Sequence, residues 1–216
     1  MTEDGLPELP TRAFAKVDAS ADTLFYADPR FVTHIDDGAI AAVTRLYEAL
    51  FPTGGTVLDL MSSWVSHLPE TVAFAEVIGH GMNAAELAAN PRLDRWFVQD
   101  LNSDPRLPLP EASIDAVGIC VSIQYLQRPV EVMREVRRVL RPGGAVAITF
   151  SNRCFPTKAV AIWQGLGGQD QCGLVALYLR RAGIPSVEAL ELVSPGQPGR
   201  DPLWAVIGRK DERHED

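Results

Sequence analysis

Cysteine is scarce. The three present, Cys120, Cys154 and Cys172, are far apart and odd in number. No CxxC pair occurs, so the spacing suggests neither a structural zinc site nor a disulfide framework, and no metal is expected. Long apolar runs are missing too, which argues against a membrane span. The start, "MTEDGLPELP", has neither the basic residues nor the apolar core of a signal peptide, so a soluble cytoplasmic protein is the expectation. Basic charge is in deficit: 20 Lys and Arg against 28 Asp and Glu, a formal charge of -8. A nucleic-acid backbone is therefore a poor partner. The basic run Arg134 to Arg141 includes Glu135 and reads as the solvated face of a helix. No GxGxxG follows the first strand, which disfavours a nicotinamide dehydrogenase.

What is present is enough for a globular core, with 46% hydrophobic residues in 216 positions. The length fits one compact domain. Residues 1–24 look loosely ordered or accessory. In "LFYADPRFVTHIDDGAIAAVTRLYEALFP", Asp36 or Asp37 can cap a helix with Ile40, Val43, Leu46, Tyr47 and Leu50 on one face. Pro52 and Gly54-Gly55 end it.

Strands and helices then alternate. Strands are expected at Thr56–Leu60, Glu76–Gly79, Trp96–Gln99, Ile114–Val121 and Ala145–Phe150, with two more near Val187–Val193 and Leu203–Gly208. Helices are expected at Pro69–Ala75, Asn83–Ala89, Pro129–Leu140, Lys158–Leu166 and Gly173–Ala182, with a turn at Arg141–Gly144. Such alternation with short loops implies an α/β fold, a doubly wound parallel sheet with helices on both faces. Ligands bind such sheets outside the carboxyl ends of the strands. Asp59, the loop Met61–Trp64, Gly81, Asp100 and Ser122 should lie along that edge.

The segments "VLDL", "VIGHGMN", "WFVQDLN" and "LPLPEASIDAVGICVSIQYLQRPVEVMREVRRVLRPGGAVAIT" together resemble the class I S-adenosylmethionine-dependent methyltransferases, most of all their small-molecule group. The resemblance covers about residues 55–152. It implies a Rossmann-like sheet of seven strands, mostly parallel with the last antiparallel. It divides the chain into an N-terminal helical cover segment, 1–54, and a methyltransferase domain, 55–210. The cofactor implied is S-adenosylmethionine, and the partner a small-molecule methyl acceptor.

By this resemblance the cofactor would meet Asp59, Met61, Ser62, Ser63, Gly81, Met82, Asn83, Asp100, Leu101 and Ser122. Asp100 stands where the family acid contacts the adenine amino group, with Asn102 beside it. Two positions depart from the pattern. Met61-Ser62-Ser63-Trp64 replaces the glycine-rich loop, and His80-Gly81-Met82 lacks the acid that holds the ribose. Trp64 either packs between helix and sheet or walls the pocket. Asn83 or a water could stand in for the missing acid.

Methyl transfer is an in-line displacement that positioning can drive, so no obligatory catalytic signature is required. The "NPPY" or "DPPY" run of amino-methylating nucleic-acid enzymes is absent; "CVSIQYL" stands there. The candidates facing the acceptor are His34 as base, Tyr26 and Tyr125. His34 could instead form a local cap interaction with Asp36, and Tyr125 could pack in the core. His67 and His80 read as exposed or local hydrogen-bonders. The replaced loop leaves a second class open: a non-catalytic or regulatory protein on this fold, binding a nucleoside or a protein.

Overall fold

The computed structural model describes residues 6–212. Its centre is one seven-stranded sheet in the order β3-β2-β1-β4-β5-β7-β6. The strands are β1 Thr56–Asp59, β2 Glu76–Gly81, β3 Arg95–Val98, β4 Ile114–Cys120, β5 Leu140–Ser151, β6 Ser186–Val193 and β7 Leu203–Arg209. The first five pair in parallel, and β7 runs antiparallel between β5 and β6. Val57, Leu58, Val117 and Ile148 are 0% exposed, as expected of strands covered on both faces.

The helices are α1 Asp22–Phe25, α2 Asp37–Leu50, α3 Ala84–Ala89, α4 Pro129–Val139, α5 Ala161–Gln164 and α6 Gly168–Arg181. Asp36 caps α2, its Oδ1 accepting from the Ala39 amide at 2.8 Å. The α2 side buries Val43 and Tyr47 with Val57, Val77, Ala116 and Ala147. The opposite side buries Leu58, Ile78, Val117 and Ile148 under α4 and α6. No helix among the described residues is long and apolar enough to cross a membrane.

Four local expectations are corrected. The helix expected at Pro69–Ala75 is absent; the chain there is irregular. Seven residues nucleate a helix poorly, and outside partners take the backbone instead. Ala73 O accepts from Gly54 N, Ala75 N donates to Gly55 O, and Pro69 O accepts from Arg92. The stretch Arg141–Gly144 is a bulge inside β5 rather than a turn before it: Leu140 pairs with Ile114 and Ala145 with Ala116. Helix α5 is four residues long because the Ala161 and Ile162 amides donate to Ala15 O and Ala13 O. Helix α6 starts at Gly168, ahead of the expected Gly173, where buried Gln171 donates to Trp163 O at 3.0 Å.

The N-terminal segment is ordered as far as it is described; residues 1–5 lie outside the described residues. Leu6 is 1% exposed in the core, and Phe14 packs on Tyr178 with ring centroids 6.1 Å apart. Lys158, also fully buried, anchors residues 18–22, donating to Ser20 O at 2.8 Å and pairing with Asp22 at 3.3 Å. The chain from Asp22 to Ile35 is thereby led along the carboxyl edge of the sheet.

Candidate functional site

A cavity of about 540 Å³ opens at that edge, within the range of small-molecule sites. Nine of the ten residues assigned to the cofactor line it: Asp59, Met61, Ser62, Ser63, Gly81, Met82, Asp100, Leu101 and Ser122. Asn83 does not. Its Oδ1 caps α3, and its Nδ2 donates to Tyr26 O and Ala27 O at 2.9 and 3.0 Å, so it holds the cover segment. His34, Tyr26 and Tyr125 all line the cavity.

The loop after β1 turns inward. Met61 adopts φ 59°, a conformation uncommon outside glycine. Its amide donates to His80 Nδ1 at 3.1 Å, and the Ser62 amide donates to His80 O at 2.6 Å. The His80 Nε2–H donates to Gln99 O at 3.0 Å, which fixes the tautomer. His80 is thus the local hydrogen-bonder of the two expected readings, buried rather than exposed. A Cβ on Gly81 would lie 2.6 Å from Ser62 O, so the end of β2 has no room for a side chain. Val121, at the end of β4, also has positive φ, 44°, and lines the cavity.

Asp59 is buried. Its Oδ2 accepts from the Ser62 hydroxyl at 2.5 Å and from the Ser66 hydroxyl, while Asn90 Nδ2 donates to Ser66. Burial pushes the Asp59 carboxyl up to about 6, against the pull of the two hydroxyls. Burial drives His80 down to about 4. These shifts have opposite consequences. Native Asp59 holds its proton above the unfolded value of 3.8, so its contribution to stability is full below that pH and is lost as pH rises to about 6. Native His80 resists protonation below the unfolded 6.5, so its contribution is lost as pH falls towards 4. Asp59→Asn leaves the His80 slope unopposed. Between pH 4 and 6 the variant's stability is expected to rise with pH more steeply than the wild type's, by about 1.4 kcal/mol per pH unit. Urea unfolding across that window measures it.

Asp100 is partly committed: Oδ1 accepts from Asn102 N at 2.9 Å and Oδ2 from the Ser103 hydroxyl at 2.8 Å. Asn102 is fully engaged, with Asp22, Tyr125 O and Gln127 N. Ser63 donates to Glu86 at 2.6 Å. The Ser122 hydroxyl is buried with no hydrogen-bond partner among the described residues. A buried orphan of this kind costs about 1–3 kcal/mol unless a bound molecule satisfies it.

The cover segment supplies the other wall. Tyr26, Arg30, Val32, Thr33, His34 and Ile35 line the cavity. His34 sits at the rim, edge-on to Phe155 at 5.4 Å, and desolvation lowers its pKa. It makes no cap with Asp36, whose carboxylate serves Ala39 N and Asp201 N. The Tyr125 hydroxyl accepts from Phe155 N at 2.9 Å, and burial pushes Tyr125 up to about 12. Burial raises Tyr26 as well. Both phenols are neutral near pH 7.

Sequence reading missed Arg30, Glu86, Phe155 and the lining role of His67. "SNRCF" after β5 held a signal, since polar and aromatic residues directly beyond a parallel strand fall at the ligand edge. Trp64 neither enters the core nor lines the cavity. Its Nε1 donates to Val32 O at 3.0 Å, and its ring meets Phe31 edge-on at 6.2 Å. Trp64→Ala is therefore expected to raise amide exchange around residues 30–35 several-fold, at a stability cost of about 1 kcal/mol. Hydrogen exchange with mass spectrometry checks this.

Residues 60–148 match a family model described as a methyltransferase domain. No curated protein matches the chain. Among solved structures, the (4+2)-cyclase SpnF matches with TM-score 0.61 at 18% identity, covering 87% of this chain and 90% of that one. A SAM-dependent methyltransferase from Aquifex aeolicus matches with TM-score 0.55 at 17% identity, covering 87% and 96%. Haemonchus contortus phosphoethanolamine N-methyltransferase 2, in complex with S-adenosyl-L-methionine, matches with TM-score 0.57 at 14% identity, covering 81% and 52%. At such identities the likeness carries the fold.

Proposed function

We propose that this chain, whose fold is that of the class I S-adenosylmethionine-dependent methyltransferases, binds S-adenosylmethionine in the edge cavity and methylates a small molecule there. The observation that carries the reading is convergence. Asp59, Asp100 and Ser122 from three strand ends share one cavity with His34, Tyr26 and Tyr125. Fold alone would not suffice, since SpnF, which shares it, is a (4+2)-cyclase.

The residues present fit the cofactor with two departures. Asp100 and Leu101 suit the adenine end, Asp59 suits a cationic group, and the orphaned Ser122 hydroxyl awaits a polar partner. The departures are at Gly81, where β2 ends without an acid and without room for a side chain, and in the loop after β1, whose Met61 and Ser62 amides bind His80. When bound, the cofactor supplies an electrophilic methyl group on a sulfonium.

The chain's own residues do the rest. Neutral His34 can accept the acceptor's proton at an imidazole nitrogen near pH 7, because desolvation lowers its pKa. Tyr125 and Phe155 form an aromatic wall, with ring centroids 5.9 Å apart, that orients the acceptor. The segment from Tyr26 to Ile35 shields the displacement from water. Asp59 becomes a carboxylate as pH passes about 6, so affinity for the cationic cofactor should rise through that pH. Transfer of label from methyl-labelled cofactor to a panel of small oxygen, nitrogen and sulfur nucleophiles tests the reading. His34→Gln should lower turnover about 100-fold while leaving cofactor affinity unchanged. Full turnover in that variant would remove His34 from the chemistry.

A second reading rests on the inward loop. The Met61 and Ser62 amides bind His80 rather than facing the cavity. That favours a non-catalytic protein that holds a nucleoside without transferring a group from it.

A further inference from the structure

One cation at the cavity, Arg30, makes no ion pair among the described residues. Arg30 lies in the cover segment, and its guanidinium carbon stands 4.5 Å from the Phe25 ring centroid, 5.6 Å from Phe155 and 5.8 Å from Tyr26. Phe25 and Phe155 meet edge-on at 5.2 Å, closing the box. Within it, Nη2 donates to Phe25 O at 2.8 Å. Nη1 is buried with no hydrogen-bond partner among the described residues. Nor does any ion pair to Arg30 occur among them. The acid that touches this residue, Glu86, accepts from the Arg30 backbone amide at 2.7 Å and from Ser63. A half-buried guanidinium with a buried, idle donor is costly to hold, and aromatic faces offset only part of that cost.

We propose that Arg30 receives the carboxylate of a bound molecule, held beside the aromatic box at the acceptor end of the cavity. The site favours one negative charge over two. Arg30 and Arg153 line the cavity, but Arg153 Nε is paired with Asp201 at 2.7 Å. Asp22, Asp59, Glu86, Asp100 and Asp201 line it as well and would repel a phosphate dianion. One free nitrogen in a planar fork, flanked by rings, matches a carboxylate on a flat apolar body. The carboxylate can come from an acceptor of that kind or from the amino-acid end of S-adenosylmethionine itself. The assignment deepens the methyltransferase reading and shares its cavity.

Calorimetry on the full chain separates the cases. Benzoate, benzamide, S-adenosylmethionine and its decarboxylated analogue are each titrated into wild type, Arg30→Gln and Arg30→Lys. Glutamine retains a donor for Phe25 O without the charge, and melting curves establish that both variants fold. If the acceptor is the source, wild type binds benzoate about tenfold or more tighter than benzamide, Arg30→Gln loses the preference, and Arg30→Lys retains part of it. If the cofactor is the source, Arg30→Gln weakens S-adenosylmethionine about tenfold and leaves the decarboxylated analogue unchanged. The inference is overturned if no carboxylate ligand binds, or if none responds to Arg30. The benzoate arm needs no cofactor. Benzoate binding that depends on Arg30, without S-adenosylmethionine binding, retains this site and removes the methyltransferase reading; cofactor binding indifferent to Arg30, with no benzoate preference, does the reverse.

Discussion

A Lys158→Met protein is expected to lose about 3–5 kcal/mol of stability, near the cost of breaking a buried ion pair by removing one partner. The Lys158 side chain is 0% exposed. Its ammonium holds Asp18 at 3.1 Å, Asp22 at 3.3 Å and Ser20 O at 2.8 Å. Methionine fills similar space but leaves the buried Asp22 carboxylate with only Lys16 and Asn102 among the described residues. The loss should appear as a lower urea midpoint. It should also appear as faster proteolysis within residues 16–35, because Lys158 joins the cover segment to the region after β5. The effect thus runs from one buried charge to the wall that carries Tyr26, Arg30 and His34. A loss below 1 kcal/mol would mean that the segment is held by its apolar contacts alone.

Gly81→Asp should fail to rebuild a ribose site. The substitution supplies the acid that the resembling enzymes carry at the end of β2. Here its Cβ would meet Ser62 O at 2.6 Å and Leu87 Cδ2 at 3.2 Å. The neighbour at 2.6 Å is backbone, tied by the Ser62 amide to His80 O, so it cannot step aside without opening the Met61–His80 bracket. Overpacking of this kind costs about 1–3 kcal/mol. The expected outcome is lower stability and no gain in affinity for S-adenosylmethionine. A stable variant that binds the cofactor at least tenfold tighter would show that the loop is free to adopt the family geometry.

The parts legible in the sequence were those set by periodicity and by breakers. Ile114–Cys120 and Pro129–Val139 came close to their expected bounds, because a continuous apolar run and a proline at the first helical position both act locally. That the sheet has seven strands, the last antiparallel, came from the resemblance rather than from local pattern, and the sheet has both features. The missing helix at 69–75 was not legible. Its backbone is bonded by Gly54, Gly55 and Arg92, partners remote in sequence. His80 was legible only in part: it reads as exposed or a local hydrogen-bonder, and only the fold buries it with the Met61 amide and Gln99 O on its two nitrogens. Asn83 was expected at the ligand, yet as the cap of α3 it faces Tyr26 O and Ala27 O. Arg30 gave no sequence signal, since what distinguishes it is a charge without an ion pair among the described residues.

The central claim is that the edge cavity takes S-adenosylmethionine. The most direct measurement is a titration of S-adenosylhomocysteine, the demethylated product, into isotope-labelled protein followed by amide and methyl NMR. The account predicts saturable, one-to-one shifts at Asp59, Ser62, Asp100, Leu101 and Ser122, with residues 186–193 of the far edge strand unmoved. It also predicts weaker binding below pH 6, where Asp59 takes up its proton. Unchanged spectra at millimolar ligand, or shifts confined to residues outside the cavity, would contradict it.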